Sequence, residues 1–160
     1  MTYNGMRPID ETRKKILLSS FVIIGLLIGL YQFYQYKEKS LYAFGGIHFT
    51  DPESIFLTMP TIENELYSTD EDVINDFIAI LSNYQAKKNH SAEYEELQQH
   101  DGVHLFTATL DSRSIFRLST THGLINNHYV KVTNGPIDEA AISDFYERHK
   151  DKFEVSEMID

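Results

Sequence analysis

The stretch Ile16 to Tyr36, ILLSSFVIIGLLIGLYQFYQY, constrains this chain more than any other. It contains no charged residue. Its length matches the ~20 residues with which a helix crosses a hydrocarbon core. From Phe21 to Leu30 it is apolar on every side, so one wet and one dry face are excluded. Ser19 and Ser20 fit such a helix because their hydroxyls can bond back to helix carbonyls. Tyr31, Phe33, Tyr34 and Tyr36 crowd its C-terminal end, where aromatic rings with polar tips mark a lipid–water interface.

The flanking cations predict an orientation. Arg7, Arg13, Lys14 and Lys15 precede the span, and Lys37 and Lys39 follow it. The excess on the N-terminal side predicts a cytoplasmic tail over residues 1–15, a transmembrane signal anchor over 16–36 and an extracytoplasmic domain over 37–160 of a cell-membrane protein. A cleaved signal peptide needs small residues after its apolar core. Tyrosine, glutamine and phenylalanine stand there instead, so the span is expected to stay attached. Gly25 and Gly29 form G-x-x-x-G, a groove where a second helix backbone can approach. They are the candidate helix-pairing residues, and they predict a homodimer through the membrane helix.

Charge and cysteine content narrow the function. The chain carries 14 Lys+Arg against 24 Asp+Glu, and residues 37–160 keep 10 and 22 of these, a net charge of −12. No basic nucleic-acid footprint exists at this level, and the domain as a whole should be repelled by anionic lipid. There is no cysteine, which excludes disulfides, a thiol nucleophile and thiolate metal ligands.

The chain beyond the span alternates strand and helix signals. Leu41 to Phe49 reads as a strand kinked at Gly45-Gly46, and Ser54 to Met59 as a second strand stopped by Pro60. Ser68-Thr69-Asp70-Glu71-Asp72 reads as a capping box through Ser68–Glu71 or Thr69–Asp72. Val73, Ile74, Phe77, Ile78, Leu81 and Tyr84 then recur at helical spacing. Residues 85–100 read as a polar connection. Val103–Leu110, Ser114–Ser119 and Leu124–Thr133 read as an antiparallel meander, and Asp138 caps a last helix with an Ile137–Ile142 staple. The sum is an α+β domain in the order β-β-α-β-β-β-α, with helices on one face of an antiparallel sheet. The acidic end from Glu154 reads as frayed.

With its span, its helix start STDEDVINDFIAIL and its strand SIFRLS, the chain resembles the small membrane-anchored or lipid-linked extracytoplasmic domains of Gram-positive bacteria. The resemblance is architectural. It implies a surface-binding or accessory role and assigns no site residue; the cysteine that carries a lipid link is absent here.

Seven histidines offer the clearest test for chemistry: His48, His90, His100, His104, His122, His128 and His149. His100, Asp101, His104 and His122 could bind zinc or copper through imidazole and carboxylate, but their spacing matches no ligand motif. His104 and His128 share strand parity with apolar neighbours, which suits core histidines bonded to backbone. Ser112 and Ser114 near a histidine read as turn residues rather than nucleophiles. H-E-x-x-H, G-x-S-x-G and a phosphate-cradling loop are all missing. The sequence thus predicts no catalytic residue, no metal site and no cofactor. It predicts a protein-binding or accessory module of a membrane complex, with an immunity or ligand-sensing protein as the alternative. Loop 85–102, the last helix, and Tyr94, Tyr129 or Tyr146 are its candidate contacts, because tyrosine is favoured at binding surfaces.

Overall fold

The computed structural model describes residues 11–46, 51–89 and 104–156. The chain divides into two compact units, residues 1–37 and 38–160. The first contains helix α1, Glu11–Tyr36. Its segment Arg13–Tyr34 is long and apolar enough to cross a membrane, and none of its surface is buried by protein. The Ser19 and Ser20 hydroxyls each donate to the carbonyl of Ile16 at 2.9 Å, which satisfies both inside the helix.

The second unit is α+β. Its strands are β1 (Lys39–Ser40), β2 (Ile55–Thr58), β3 (Leu66–Ser68), β4 (Gln85–Lys88), β5 (Phe106–Leu110), β6 (Ser114–Leu118), β7 (His122–Ile125), β8 (His128–Val132) and β9 (Glu154–Val155). Its helices are α2 (Leu41–Phe44), α3 (Glu71–Asn83) and α4 (Glu139–His149), with a 3-10 turn at Lys150–Lys152. All nine strands join one antiparallel sheet in the order β1-β4-β8-β7-β6-β5-β2-β3-β9. The two edge strands have two residues each, too short to template pairing with another chain.

Period-2 patterning decides which face is covered. Phe106, Ala108 and Leu110 on β5, and Ser114, Phe116 and Leu118 on β6, are buried, while their alternating neighbours are half-buried or exposed. α3 lies on the buried face with Val73, Ile74, Phe77 and Leu81 turned inward. The Phe77 ring meets Phe106 of β5 at 5.6 Å and Phe145 of α4 at 5.5 Å, so one side chain joins both long helices to the sheet. Ile137 and Ile142 are both buried, as the staple at Asp138 requires.

Several sequence expectations are corrected. Leu41–Phe44 is one helical turn capped by the Ser40 hydroxyl, not a strand, and Gly45 keeps a helical φ of −63°. Asp70, not Ser68 or Thr69, caps α3, its carboxylate accepting from the amides of Asp72 and Val73. Ser68 instead ends β3 and donates to the Lys152 carbonyl at 2.8 Å. Residues 85–88 form β4 because Asn134 turns the chain out of α3: its side chain accepts from Gln85 N and donates to Asn83 O. Leu124–Thr133 is two strands, since Asn126 and Asn127 take left-handed φ of 46° and 64° and close a hairpin. Glu154–Val155 pairs with β3. The observed order therefore differs from β-β-α-β-β-β-α: the first expected strand is a helical turn, the last is a hairpin of two, and β1, β3, β4 and β9 are short strands with no expected counterpart.

Gly123 permits the closest approach in the sheet. A Cβ there would lie 2.6 Å from the Arg117 carbonyl oxygen and would overlap the Leu118 side chain. Backbone cannot move aside as a side-chain tip can. Gly123→Ala is expected to destabilise the domain by about 1–3 kcal/mol, read as a lower urea midpoint at unchanged slope.

Candidate functional site

Two surfaces of the second unit could meet a ligand or partner. The first is a cavity of about 580 Å³ where the β6–β7 turn meets the start of α4. Met59, His104, Ser119, Thr120, Glu139 and Ser143 contribute to its wall. The segment entering α4 is held against the turn by Ile137 N donating to Thr120 O at 2.7 Å. Asp138 caps the helix through Ala140 N at 2.9 Å, so part of the positive helix end already faces a carboxylate.

Ser119 of that wall forms, with His122 behind it, the one close Ser–His pair among the described residues. Ser119 Oγ lies 3.0 Å from Nδ1 and 3.4 Å from Nε2 of His122, and 3.1 Å from the His122 carbonyl oxygen. An oxygen nearly equidistant from both ring nitrogens does not lie on the lone-pair axis of either, and Thr121 Oγ1 is also 3.2 Å from Nδ1. Both residues are buried. The arrangement ties a tight turn.

The second surface is the other face of the sheet. Phe56, Tyr67, Thr107, Thr109, Ile115, Arg117, Leu124, Tyr129, Lys131 and Lys87 occupy it by strand parity. Ile115 stays 40% exposed, beside Arg113 and Arg117 in a groove of about 430 Å³. No described helix covers this face. Apolar, hydroxyl and cationic side chains share it.

The remaining sequence candidates scatter. His48, His90, His100, Asp101 and Tyr94 lie outside the described residues, as does all of loop 85–102 beyond Asn89. His104 lines the cavity, half-buried, and His122 is buried in the turn. Among the described residues no group of three His, Asp or Glu could hold a metal ion. Ser114 is buried and donates to the Gly45 carbonyl at 2.6 Å, while Ser112 sits in the β5–β6 turn at φ 53°. Tyr146 packs beside Phe153, and Tyr129 lies on the uncovered face. His128 begins β8 exposed; partial burial, with Lys88 and Lys39 nearby, holds its pKa below 6.5.

His149 was legible only as one face of the last helix, not as a partner. It is buried at the end of α4, and its Nε2 lies 2.9 Å from Asp76 of α3. Arg148 Nη1 donates to the same carboxylate oxygen at 2.7 Å. A proton on Nε2 supplies that oxygen with a donor and leaves the buried Nδ1 as an acceptor without a partner. The His149 bond, then Arg148, hold the Asp76 carboxyl below the usual carboxylate range. Its contribution is thus complete above the unfolded carboxyl pKa and fades as pH falls through the lower folded value. A scan against family models finds no match, and searches of curated proteins and of solved structures return none.

The α3–α4 clasp is half in water, so its contribution is small. Asp76→Ala is expected to cost about 1 kcal/mol at pH 7 and nothing once both states are protonated near pH 2. Urea melts of the two proteins across that range should converge at the acid end.

Proposed function

We propose that this chain is a single-pass protein of the cell membrane, with a cytoplasmic N-terminus and a non-catalytic extracytoplasmic domain that binds another protein or serves as an accessory subunit of a membrane complex. One observation carries the reading: a helix long and apolar enough to cross a membrane precedes a domain in which the described helices cover one face of the sheet. Ile115, Leu124 and Phe56 stand on the face that no described helix covers, with Ile115 the most exposed of the three, which suits a docking module. The ligand-sensing alternative draws its support from the cavity beside α4, whose wall mixes apolar side chains with His104 and Glu139.

Pairing of two copies through Gly25 and Gly29 belongs to the same proposal. Neither glycine has an atom within 4 Å of where its Cβ would stand, which leaves the groove open to a second helix.

Four measurements address this reading. The protein should remain with membranes through alkaline carbonate extraction, and protease added to intact cells should digest residues 40–160. Gly25→Ile with Gly29→Ile should abolish any dimer seen by cross-linking in the membrane while leaving the melting curve of the domain unchanged. A photo-reactive residue at Ile115 should cross-link a defined protein partner; labelling of lipid or water alone would remove the binding role.

A further inference from the structure

Three arginines follow the apolar helix: Arg113, Arg117 and Arg148. Arg148 is paired with Asp76. The other two stand on either side of Ile115, Arg113 just before β6 and Arg117 within it. Acidic residues outnumber Lys+Arg by 22 to 10 over residues 37–160, yet neither arginine forms an ion pair among the described residues. An arginine stays charged at any physiological pH, and its planar fork of donors matches a carboxylate.

The strand register accounts for the missing partners. Arg117 lies between Thr107 of β5 and Leu124 of β7. Ile115 lies beside Thr109 of β5, and Asn126 closes its other side. There Ile115 N donates to Asn126 Oδ1 at 2.8 Å, and Asn126 N donates to Ile115 O at 3.1 Å. Asn126 Nδ2 donates to Gly45 O at 2.9 Å, so both ends of this side chain are engaged and the wall of the groove is held in place. No described residue lining the groove is acidic. Arg113 also lines an adjoining hollow with Asp51, Glu53 and Asp111. Asp111 Oδ1 is occupied there, accepting from the amides of Glu53 and Ser54. Arg113 is thus partly offset by nearby acid, whereas Arg117 has uncharged neighbours on both sides.

Ile115 and Val155 are the exposed large hydrophobic side chains among the described residues of the second unit. β6 is an interior strand with β5 and β7 beside it, so its backbone is already paired and a partner must be read through side chains. At a rise of about 3.3 Å per residue, Arg113, Ile115 and Arg117 present charge, apolar surface and charge over about 13 Å. An extended segment laid along β6 answers all three with acids four residues apart and an apolar residue midway. A helix would have to place its acids about nine residues apart to span the same length. In this chain the pattern acid-x-apolar-x-acid occurs at Asp72–Ile74–Asp76, on α3, where Ile74 is buried. A second copy of the chain therefore does not supply it.

We infer that the Arg113–Ile115–Arg117 groove binds an extended acidic segment of a partner protein, one with carboxylates four residues apart and an apolar side chain between them. The inference rests on the reading of the uncovered sheet face as a docking surface, and it gives the partner a chemistry. The apolar residue covers Ile115, and the two charge pairs fix the register. Arg117 makes the stronger of the two polar contacts.

The full chain in phosphatidylcholine nanodiscs, whose lipid carries no net charge, is panned with a phage library of random nonapeptides. Empty discs remove peptides that bind lipid or scaffold. Enriched peptides should carry Asp or Glu at two positions four apart, with Leu, Ile, Val or Phe midway. One of them, bearing a neutral dye, is then titrated with variants. Arg113→Gln with Arg117→Gln should weaken its binding roughly tenfold, since an exposed arginine–carboxylate pair contributes up to about fivefold. Arg117→Gln alone should weaken it more than Arg113→Gln. Arg113→Glu with Arg117→Glu should enrich Lys and Arg at the same two positions, with the melting curve of the domain unchanged. No consensus, a consensus without acids, or one that survives the charge reversal would overturn the proposal. So would enrichment that appears only after Glu93, Glu95 and Glu96 become Gln, which would assign the arginines to this chain's own carboxylates. A protein cross-link from position 115 without acid preference would end this inference and leave the docking role. Absence of any protein cross-link there would end the docking role itself.

Discussion

Phe77 is the contact on which the second unit depends. Its ring is fully buried and touches Phe106 on the sheet and Phe145 on α4. Burying a phenylalanine contributes about 1.5–3 kcal/mol, and removing one from a packed core costs more, because a cavity remains. Here that cavity would open where sheet, α3 and α4 meet through aromatic rings. Everything described on the covered face follows from this anchor: α3 presents its stripe to β5, and α4 joins through Phe145. Phe153 then packs edge-on against Phe145 at 6.2 Å, and the chain returns to the sheet as β9.

Covering one face commits the other to solvent or to a partner. Because side chains alternate along a strand, the buried set on β5 and β6 fixes the identity of the uncovered set without further choice. Evolution can then vary the uncovered residues at little cost to the core. That freedom has been used unevenly. The centre carries Ile115 and Arg117, the β1–β4–β8 edge carries lysines, and carboxylates gather around β2, β3 and the start of α3. Lys152 reaches Asp70 and Asp72 at 3.0 and 2.9 Å, so part of that acidic group is answered locally.

The elements that could be read from sequence are those that bury an apolar stripe or use an unambiguous cap. α3, α4 with Asp138, β2, β5 and β6 are of this kind. The missed ones each escaped for a physical reason. β4 is Gln-Ala-Lys-Lys, with one buried side chain, Ala86, and it is a strand because β8 and β1 pair with its backbone. β9 and β1 are too short to show any period. The β7–β8 turn did have a signal, the Asn126-Asn127 pair, since asparagine tolerates the left-handed region that a two-residue hairpin demands. Leu41–Phe44 alternates no better as a strand than as a helix, and the Ser40 cap decided it.

What could act as a site was far less visible than the fold. Partners such as His149 and Asp76, or Lys87 and Lys131, are separated by many residues, and no local pattern links them. The sequence by itself determined the apolar helix, the α+β class, the acid excess and the absence of cysteine chemistry, because length, period and composition are local or additive properties. Only the tertiary structure decided that Ser119 and His122 tie a turn, that the domain's described helices all lie on one face of the sheet, and that the lysines of three distant segments form one edge. Strand order brings those lysines together, and strand order is set by pairing across the whole chain.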